Sequence, residues 1–412
     1  MQLRKWKSLF YSFSFTWIAF LLLISIFANF IANEKPLFAQ YKQQTYFPVI
    51  YDILSDFGWY QWDSELANKD WKTLDLEASW WAPIPFSPEQ LDLDNAPAKP
   101  PFAVLTVKNK KFYHYLGTDE LGRDIASGLI YGARYAIIIG VSATFLAALF
   151  GIFLGSIAGF WGDYDFKISR YSLFILLSFG LWAFFISFYS RYYQLQNALS
   201  FSFFSFLTQL FFSTLLFCSV ILICWKGFSF LKKKYTFLQK NVAIPLDILI
   251  SRVIEIKLSI PMLLIIIILT AIAKPSIFLL IGIIAFGQWT LFARLIRAEI
   301  LKIKNLEYIS VTKIQGLPSL KILLRHVLPN AMPPIWVSIS FAVASAILVE
   351  SALSFLGISS SHVSWGSLLK SGRNDLNAWW LVLFPGSMIF FTIFALNQFN
   401  ENLRKILNPK KL

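Results

Sequence analysis

The chain has 412 residues, of which 57% are hydrophobic and 15% are charged, with 37 basic residues against 23 acidic ones. A soluble domain normally has about a quarter of its residues charged, so this composition excludes an ordinary soluble protein. Several stretches of about 18 or more residues carry almost no charge, which is the length that a helix needs to cross the hydrocarbon core of a bilayer. The sequence therefore predicts an all-α, multi-pass membrane protein.

The basic residues lie at the ends of apolar stretches and not in one patch. Clusters of this kind orient a membrane protein, because basic loops remain on the cytoplasmic side. We therefore interpret the net charge of +14 as a topological signal and expect the lipid bilayer, not nucleic acid, as the partner. The clusters are Arg4, Lys5 and Lys7; Lys226 and Lys232 to Lys234; Lys302, Lys304 and Arg325; and Arg404, Lys405 and Lys410.

The apolar stretches predict eight membrane spans. With a cytoplasmic N-terminus, eight spans place the basic clusters and the C-terminus on the same, cytoplasmic side. The first stretch is longer than the apolar part of a signal peptide, so residues 1–32 are predicted to contain a retained first span. The spans are predicted at residues 10–32, 135–160, 171–190, 201–225, 254–273, 276–293, 334–357 and 379–400.

Residues 33–134 are predicted to form a region on the outer side of the membrane, rich in Trp, Asp and Pro. We interpret it as a cap whose aromatic side chains rest at the membrane interface; the alternative is a docking surface for an outer partner. Its last part, "LGTDELGRDIASGLIYGAR", is predicted to be an amphipathic interfacial segment. The charged residues of this segment are expected to pair with each other or with the outer loop: Asp119, Arg123, Asp124 and Arg134.

The second core span, predicted within residues 135–165, carries small residues at four-residue spacing. In a helix they share one face, which allows a neighbouring helix to approach closely. These residues are Ala143, Ala147, Gly151, Gly155 and Gly159. Residues 166–246 follow with two Phe-rich apolar stretches and a basic stretch. They are predicted to be an inserted transmembrane hairpin with a basic cytoplasmic loop, which leaves the orientation of later spans unchanged.

The C-terminal region, residues 247–412, contains a long polar connection at residues 294–333. Within it, "NLEYISVTKIQGLPSLKILLRHVLPN" predicts two short helices. Asn305 is predicted to be the N-cap of the first, with Glu307 in its first turn and Lys313 in its last, as the helix dipole favours. Gly316 suits the position after the helix end, and Pro318 prevents its continuation.

The second short helix is predicted to begin at Ser319 as N-cap and to stop at Pro329. Its apolar face is predicted to consist of Leu320, Leu323, Leu324 and Val327. The residues alone leave two interpretations open. Either the pair of helices lies on the lipid surface, or the first helix docks into a soluble partner.

The sequence "EYISVTKIQG" followed by "RHVLPN" resembles the cytoplasmic coupling loop of ABC importer permeases. Gly316 and Leu328-Pro329-Asn330 stand at the family's places, whereas Ser310-Val311-Thr312 replaces the family's E-A-A triplet. "HYLGTDELGRDIASGLIYGAR", "ARLIRAEIL" and "ESALSFLGIS" resemble the dipeptide/oligopeptide branch. Within that branch, the opening and the long outer loop are most similar to microcin C/peptide uptake permeases.

The resemblance implies a type I permease core of six transmembrane helices in the bacterial inner membrane, to which the hairpin is added. It also implies a second permease, two ATPase subunits that bind ATP and Mg²⁺, and a periplasmic solute-binding protein. This chain shows no G-x-x-x-x-G-K-[S/T] phosphate loop, so neither a catalytic site nor a cofactor or metal is expected in it. The residues that would face the ATPase are Glu307, Tyr308, Lys313, Gly316, Leu328, Pro329 and Asn330.

Glu350 is an ionisable residue inside a predicted apolar span. Such residues are candidates for function, so Glu350 either lines a translocation pathway or ties two helices together. The alternative class of function is an ATP-independent secondary transporter or channel, which would be expected to carry several such charges. A membrane enzyme would need clustered side chains, whereas the histidines 114, 326 and 362 fall in separate segments.

Overall fold

The computed structural model describes residues 13–56, 58–62, 66, 69–93, 96, 98–102, 112–201, 203–229, 234–272, 276–358, 362–375 and 377–407. Basic residues 4, 5, 7, 232, 233 and 410 lie outside these ranges. The chain divides into two compact units, one comprising Met1–Ser156 with Ile256–Leu412 and the other Ile157–Glu255. Apart from two small antiparallel sheets, the regular structure of the described residues is helical.

The N-terminal part of the first unit contains α1 (Phe13–Ile31), β1 (Phe38–Tyr41), β2 (Gln44–Tyr46), α2 (Pro48–Asp56), β3 (Ala78–Trp80) and α3 (Ile125–Trp161). The second unit contains β4 (Lys167–Ser169), α4 (Arg170–Phe184, extended by a π-helical turn at Phe185–Tyr189), α5 (Tyr192–Phe201), α6 (Phe203–Gly227), a 3₁₀ turn (Thr236–Gln239), β5 (Asn241–Ala243) and α7 (Leu246–Ser259). Both α3 and α7 run across the boundary between the units.

The C-terminal part of the first unit contains α8 (Met262–Ile272), α9 (Ile277–Lys304), α10 (Glu307–Ile314), α11 (Ser319–Ile322), a π-helical turn (Leu323–Val327), α12 (Leu328–Ala331), α13 (Pro333–Phe355), α14 (Trp365–Asn374) and α15 (Trp380–Leu407). α9 is therefore longer than the predicted span at residues 276–293. The polar connection begins at Asn305 and not at residue 294.

The described residues include seven helices that are long and apolar enough to cross a membrane. They are Phe13–Ile31, Ile125–Trp161, Arg170–Tyr189, Thr208–Gly227, Ile277–Lys304, Pro333–Phe355 and Trp380–Ile406. α7 and α8 form a pair that is bent by 76°, and counting it as one span gives the predicted eight. Pro261 lies in the break, where it removes a backbone N–H donor and prevents a continuous helix. An all-α, multi-pass membrane protein is confirmed.

The Trp-rich outer region builds a small core of its own. Its antiparallel sheet has the order β2-β1-β3 and pairs Ala39 with Tyr46 on one side and with Ser79 on the other. Ala39, Leu66 and Trp71 are buried, and the rings of Tyr46 and Trp62 pack against Trp71. These aromatic side chains therefore contact one another. The prediction was a cap whose aromatic side chains rest at the membrane interface, and it did not include such a core.

The helix α3 begins ten residues before the predicted span, at Ile125 and not at residue 135. The C-terminal half of the predicted interfacial segment is therefore the first part of this helix. Asp124 allows the early start, because its Oδ2 accepts a hydrogen bond from the Ser127 N–H at 2.6 Å and so caps the helix.

Aromatic hydrogen bonds join distant parts of the first unit. The indole of Trp365 in α14 donates to the Leu129 carbonyl of α3 at 3.0 Å, and Trp380 of α15 donates to the Thr118 carbonyl at 3.1 Å. α1 packs against α15, where the indole of Trp17 lies 3.4 Å from the Thr392 hydroxyl. These side chains stabilise contacts between segments that are more than two hundred residues apart.

The second unit contains the predicted hairpin. α4 packs against α6 in an antiparallel arrangement, since Tyr171 at the start of α4 donates to the Trp225 carbonyl and Phe188 near its end contacts Phe217. The strands β4 and β5 pair in an antiparallel ribbon that joins Lys167 to Ala243. This ribbon closes the base of the hairpin.

Candidate functional site

The polar loop between α9 and α13 is the candidate functional site. α10 is attached to α9 by a turn in which the Leu306 N–H donates to the Ile303 carbonyl at 3.0 Å. Asn305 ends α9, and the N-cap position of α10 is occupied by Leu306 without a side-chain cap, so the predicted capping by Asn305 is wrong. α10 therefore begins at Glu307, one residue later than the predicted N-cap implies. Glu307 and Lys313 lie in the first and last turns as predicted.

Gly316 ends α10 in the left-handed conformation, with φ of +74°. Its N–H donates to the Lys313 carbonyl at 3.0 Å, and the Leu317 N–H reaches the Thr312 carbonyl at 3.4 Å. Such bonds satisfy the carbonyls at the end of a helix, and only glycine adopts this φ at no steric cost. A Cβ atom at Gly316 would meet no atom within 4 Å, so a substitution would strain the backbone without causing a clash.

One face of α10 carries exposed apolar side chains. Tyr308, Val311 and Ile314 recur at three-residue spacing and are 43%, 51% and 85% exposed, whereas Ile309 on the opposite face is fully buried. An exposed apolar stripe between charged residues is typical of a surface that a partner covers. Tyr308 and the charged residues were predicted from the sequence, whereas the exposure of Val311 and Ile314 was not. Their spacing within a polar connection was the signal that would have revealed them.

The second short helix presents a different face from the predicted one. Ile322, Leu323 and Val327 are buried, whereas Leu320 and Leu324 are 57% and 55% exposed. The cause is the π-helical turn at Leu323–Val327, because one extra residue per turn rotates the positions on either side of it. Ile322 therefore takes the place predicted for Leu320.

Two further predictions for this helix are wrong. Pro318, not Ser319, occupies the N-cap position of α11, and Ser319 is the first helical residue. Pro329 does not stop the chain from continuing as a helix but lies at the start of α12. Pro329 has no N–H to donate, and the Leu328 N–H before it bonds to Leu323 in the wider π-helical pattern.

Asn330 joins α12 to α10. Its side-chain amide donates to the Tyr308 hydroxyl at 3.2 Å and to the His326 carbonyl at 2.7 Å. α12 and the π-helical turn in turn pack on α9. α10 is therefore joined to α12 through Asn330, and α12 leads directly into α13.

Glu350 lies in α13 with 1% of its surface exposed. Its two carboxyl oxygens accept hydrogen bonds from the hydroxyls of Ser354 at 2.7 Å and Ser351 at 3.3 Å. Ser364, the N-cap of α14, lies near the same carboxyl group. α14 approaches α13 closely here, since a Cβ at Gly366 would fall 2.2 Å from the Ser351 carbonyl oxygen. This geometry favours the helix tie over the pathway.

The segment before α3 holds a buried network of charged groups. Asp119 accepts from the Arg123 side chain at 2.7 Å and from the N–H groups of Leu121 and Arg123, so it shapes a tight turn. Asp124 lies 2.8 Å from Nδ1 of buried His114, whose Nε2 lies 3.2 Å from Asp92. Asp119 thus pairs with Arg123 of the same segment. Asp124 pairs with His114, at the end of the outer loop.

Arg134 forms neither of the pairs expected for it. Its guanidinium donates to the Ser25 carbonyl at 2.8 Å and to the Asn29 side chain at 2.7 Å, both in α1. Its contacts therefore join α3 to α1 and lie away from Asp119, Arg123 and Asp124. The prediction missed these bonds because backbone carbonyls leave no mark in a sequence.

Gly151 and Gly155 lie directly against α9. A Cβ at Gly151 would fall 2.5 Å from the Trp289 carbonyl oxygen, and one at Gly155 would fall 2.3 Å from that of Ala293. Gly159 is buried further along α3, in the part that belongs to the second unit. Small residues here allow two helical backbones to touch, as is common in membrane proteins.

The fold defines an integral membrane protein of helical spans. Residues 240–411, which include α9 to α15 and the whole polar loop, match the model of the family of binding-protein-dependent transport system inner membrane components. The family resemblance seen in the sequence is thereby confirmed. The match does not include the outer region or most of the hairpin.

Curated relatives extend the similarity. The peptidoglycan transport system permease protein YejE of Agrobacterium fabrum is 26% identical over 97% of this chain and 89% of its own length. The dipeptide transport system permease protein DppC of Alkalihalophilus pseudofirmus is 27% identical over 72% of both chains. The oligopeptide transport system permease protein OppC of Bacillus subtilis is 26% identical over 72% of both chains.

Proposed function

We propose that this chain is a permease subunit of an ATP-driven ABC importer for peptides or peptide-like compounds, in the bacterial inner membrane with both termini cytoplasmic. The names of the relatives support this class of cargo, and their range extends from dipeptides to peptidoglycan. Within the class, the long outer loop and the opening of the sequence favour a microcin C-type compound.

The observation that carries the proposal is the exposed stripe of Tyr308, Val311 and Ile314 on α10. A helix that lay on lipid would show a continuous apolar face, but Glu307 lies on the stripe side of α10 and is exposed. A charged and apolar face of this kind suits a cleft in a soluble partner, which the proposal identifies as the ATPase subunits. Leu328 and Pro329 would hold the shape of the loop behind α10.

In the proposed mechanism, the two ATPase subunits bind ATP and Mg²⁺ and press on α10 when they close. Asn330 and Tyr308 transmit this displacement to α12, and α9 and α13 then tilt as packed helices. A second permease completes the pathway, and a periplasmic solute-binding protein delivers the cargo. This chain itself catalyses no reaction.

The experiment compares Ile314→Asp with Leu320→Asp in cells that express the complete importer. Both changes introduce a carboxylate at an exposed apolar position, one on α10 and the other on α11. Uptake of a labelled oligopeptide should fall at least tenfold for Ile314→Asp and remain near wild type for Leu320→Asp, because a buried unpaired charge costs several kcal/mol. Equal losses, or no loss in either variant, would contradict docking through α10.

The same cells distinguish an ATP-driven importer from the alternative function, a secondary transporter. A secondary transporter would continue to accumulate peptide when the ATPase subunits are deleted, provided that the ion gradient is intact. Uptake that depends on those subunits and is unaffected by dissipating the gradient supports the importer. The level of the chain in the membrane fraction is measured in every strain, so that loss of uptake is not confused with loss of protein.

A further inference from the structure

We propose that the base of the hairpin in the second unit is a binding surface for the headgroups of anionic phospholipids. The base consists of residues 161–172 and 225–244, as far as these are described. Among the described residues of this unit, two helices are long and apolar enough to span a membrane: Arg170–Tyr189, which begins here, and Thr208–Gly227, which ends here. The base therefore lies where the hydrocarbon core gives way to the headgroup layer.

The base is strongly basic. Among its described residues, five carry positive charge and only Asp163 and Asp165 are acidic. The positive residues are Lys167, Arg170, Lys226, Lys234 and Lys240. Among the described residues, no ion pair joins any of these five to an acidic side chain. The opposite end of the hairpin, residues 190–207, carries Arg191 as its one charged residue. The positive charge is thus concentrated at one end, where the described cations outnumber the described carboxylates by five to two.

The backbone holds two of these cations next to each other. The Arg170 N–H donates to the Lys240 carbonyl at 2.9 Å, at the end of the ribbon formed by β4 and β5. Like charges attached to neighbouring backbone positions repel each other, so an anion bound near both would stabilise this arrangement. Main-chain hydrogen bonds fix the two backbones, so both side chains extend from the same end of the ribbon.

Arg170 is oriented by an aromatic ring and not by a carboxylate. Its guanidinium carbon lies 4.0 Å from the centre of the Phe237 ring. Stacking of this kind uses the flat face of the guanidinium, and its edge still presents N–H donors. A planar donor edge matches two oxygens of a phosphate, which is the group that every anionic phospholipid carries.

Aromatic side chains surround the cations. Tyr164, Phe166, Trp225, Tyr235 and Phe237 are partly or largely exposed at this base. Aromatic rings together with Lys and Arg are the composition of the membrane interface, where rings sit at the headgroup level. An acidic soluble partner would account for the charge but not for exposed rings beside the ends of two spans. The observations therefore favour lipid.

The test uses the full chain in nanodiscs that contain equal amounts of phosphatidylglycerol and phosphatidylcholine. After stepwise delipidation, the lipids that remain bound are counted by native mass spectrometry. The wild type should retain phosphatidylglycerol in excess. Each Lys or Arg near an anionic surface contributes roughly a fivefold preference, so Lys167→Gln/Arg170→Gln/Lys240→Gln should reduce the excess by at least about tenfold.

The matched control is Lys42→Gln/Lys69→Gln/Lys99→Gln, which removes the same charge from the outer region. It should keep the phosphatidylglycerol excess of the wild type. Equal retention by the base variant and the wild type, or an equal loss in the control, would overturn the proposal. So would loss of ATPase binding in the base variant with unchanged lipid retention, since that result assigns the surface to a protein.

A measurement on the wild type alone covers the case in which the triple variant does not fold. Raising NaCl from about 50 mM to about 500 mM shortens the range of electrostatic attraction roughly threefold. The phosphatidylglycerol excess of the wild type should then fall several-fold. An excess that does not change with salt would mean that the cations do not bind the headgroups.

Discussion

Gly155 of α3 lies so close to Ala293 of α9 that a Cβ on Gly155 would fall 2.3 Å from the carbonyl oxygen of Ala293. Because this contact is to a backbone atom, no rotation of a side chain can relieve it. The two helices can hold this distance only while position 155 lacks a side chain.

Gly155→Val should therefore separate α3 from α9 and destabilise the first unit by about 1–3 kcal/mol or more. The measurement is the thermal unfolding midpoint of the purified protein in detergent, together with its yield. Gly180→Val in α4 is the control, because no atom lies within 4 Å of a Cβ there. If the two variants unfolded at the same temperature, the close contact would not contribute to stability.

Gly316→Val should uncouple transport while leaving insertion intact. The left-handed φ of +74° costs a residue with a side chain about 1–2 kcal/mol, so the end of α10 should shift or fray. Gly316→Asn should be milder, because Asn tolerates this conformation. Peptide uptake is measured per molecule of chain in the membrane. If Gly316→Val transported peptide at the wild-type rate, transport would not depend on the position in which Gly316 holds the end of α10.

The pH dependence of the outer region should depend on Lys72. Burial beneath the rings of Phe86 and Phe112 lowers the pKa of Lys72 to about 8, although four nearby carboxylates oppose the shift. The unfolded chain then binds more protons than the folded one between about pH 8 and 10.4, so the free energy of unfolding should rise with pH across that window by up to ~3 kcal/mol. Below about pH 8 Lys72 is protonated in both the folded and the unfolded chain, so the free-energy cost of burying its charge does not change with pH.

Lys72→Met should abolish this rise, and Lys69→Met, at an exposed lysine of the same region, should preserve it. The measurement is thermal unfolding followed by tryptophan fluorescence, to which Trp62 and Trp71 of this region contribute. Each variant is compared with the wild type at every pH, so that the titration of other groups cancels. An identical pH slope in Lys72→Met and wild type would show that the ammonium is not buried.

Glu350→Gln should be tolerated and Glu350→Ala should not. A glutamine can still accept the hydrogen bonds from Ser351 and Ser354, whereas alanine leaves both buried hydroxyls without their partner and should destabilise the unit by about 1–3 kcal/mol. Unfolding midpoint and uptake are measured on both variants. Normal stability with lost transport in Glu350→Gln would assign Glu350 to the translocation pathway in place of the helix tie.

Asp124→Ala should weaken the junction between the outer region and α3. The change removes the carboxylate that accepts the Ser127 N–H and caps α3. It also removes one of the two carboxylates that flank His114. The free energy of unfolding should fall by about 1–3 kcal/mol. Asp124→Asn keeps an acceptor for the cap and should fall between the alanine variant and wild type. Hydrogen exchange at residues 125–129 measures the loss, with Asp75→Ala as the exposed control. Unchanged exchange in Asp124→Ala would contradict the capping role.

The spans and the end of α10 could be predicted because their signals are local. A charge-free stretch defines a span, and Gly316 followed by Pro318 defines a helix end. The register of the next helix could not be predicted, because the π-helical turn that exposes Leu320 and Leu324 depends on packing against α9. The strands of the outer region were missed for a related reason. They have only three or four residues each, which is too few for an alternating pattern to be recognised. In addition, the pairing of Ala39 with Ser79 joins positions forty residues apart, which the local sequence does not reveal.

The contact between α1 and α15 has a consequence for biosynthesis. Trp17 of α1 is synthesised long before its partner Thr392 of α15. The same is true of Thr118, whose carbonyl accepts a hydrogen bond from Trp380. At ordinary rates of translation this delay is on the order of tens of seconds. During that interval the early spans must stay in the bilayer without their final neighbours, exposed to membrane proteases and dependent on insertion factors. A chain interrupted before α15 would leave this vulnerable state permanent.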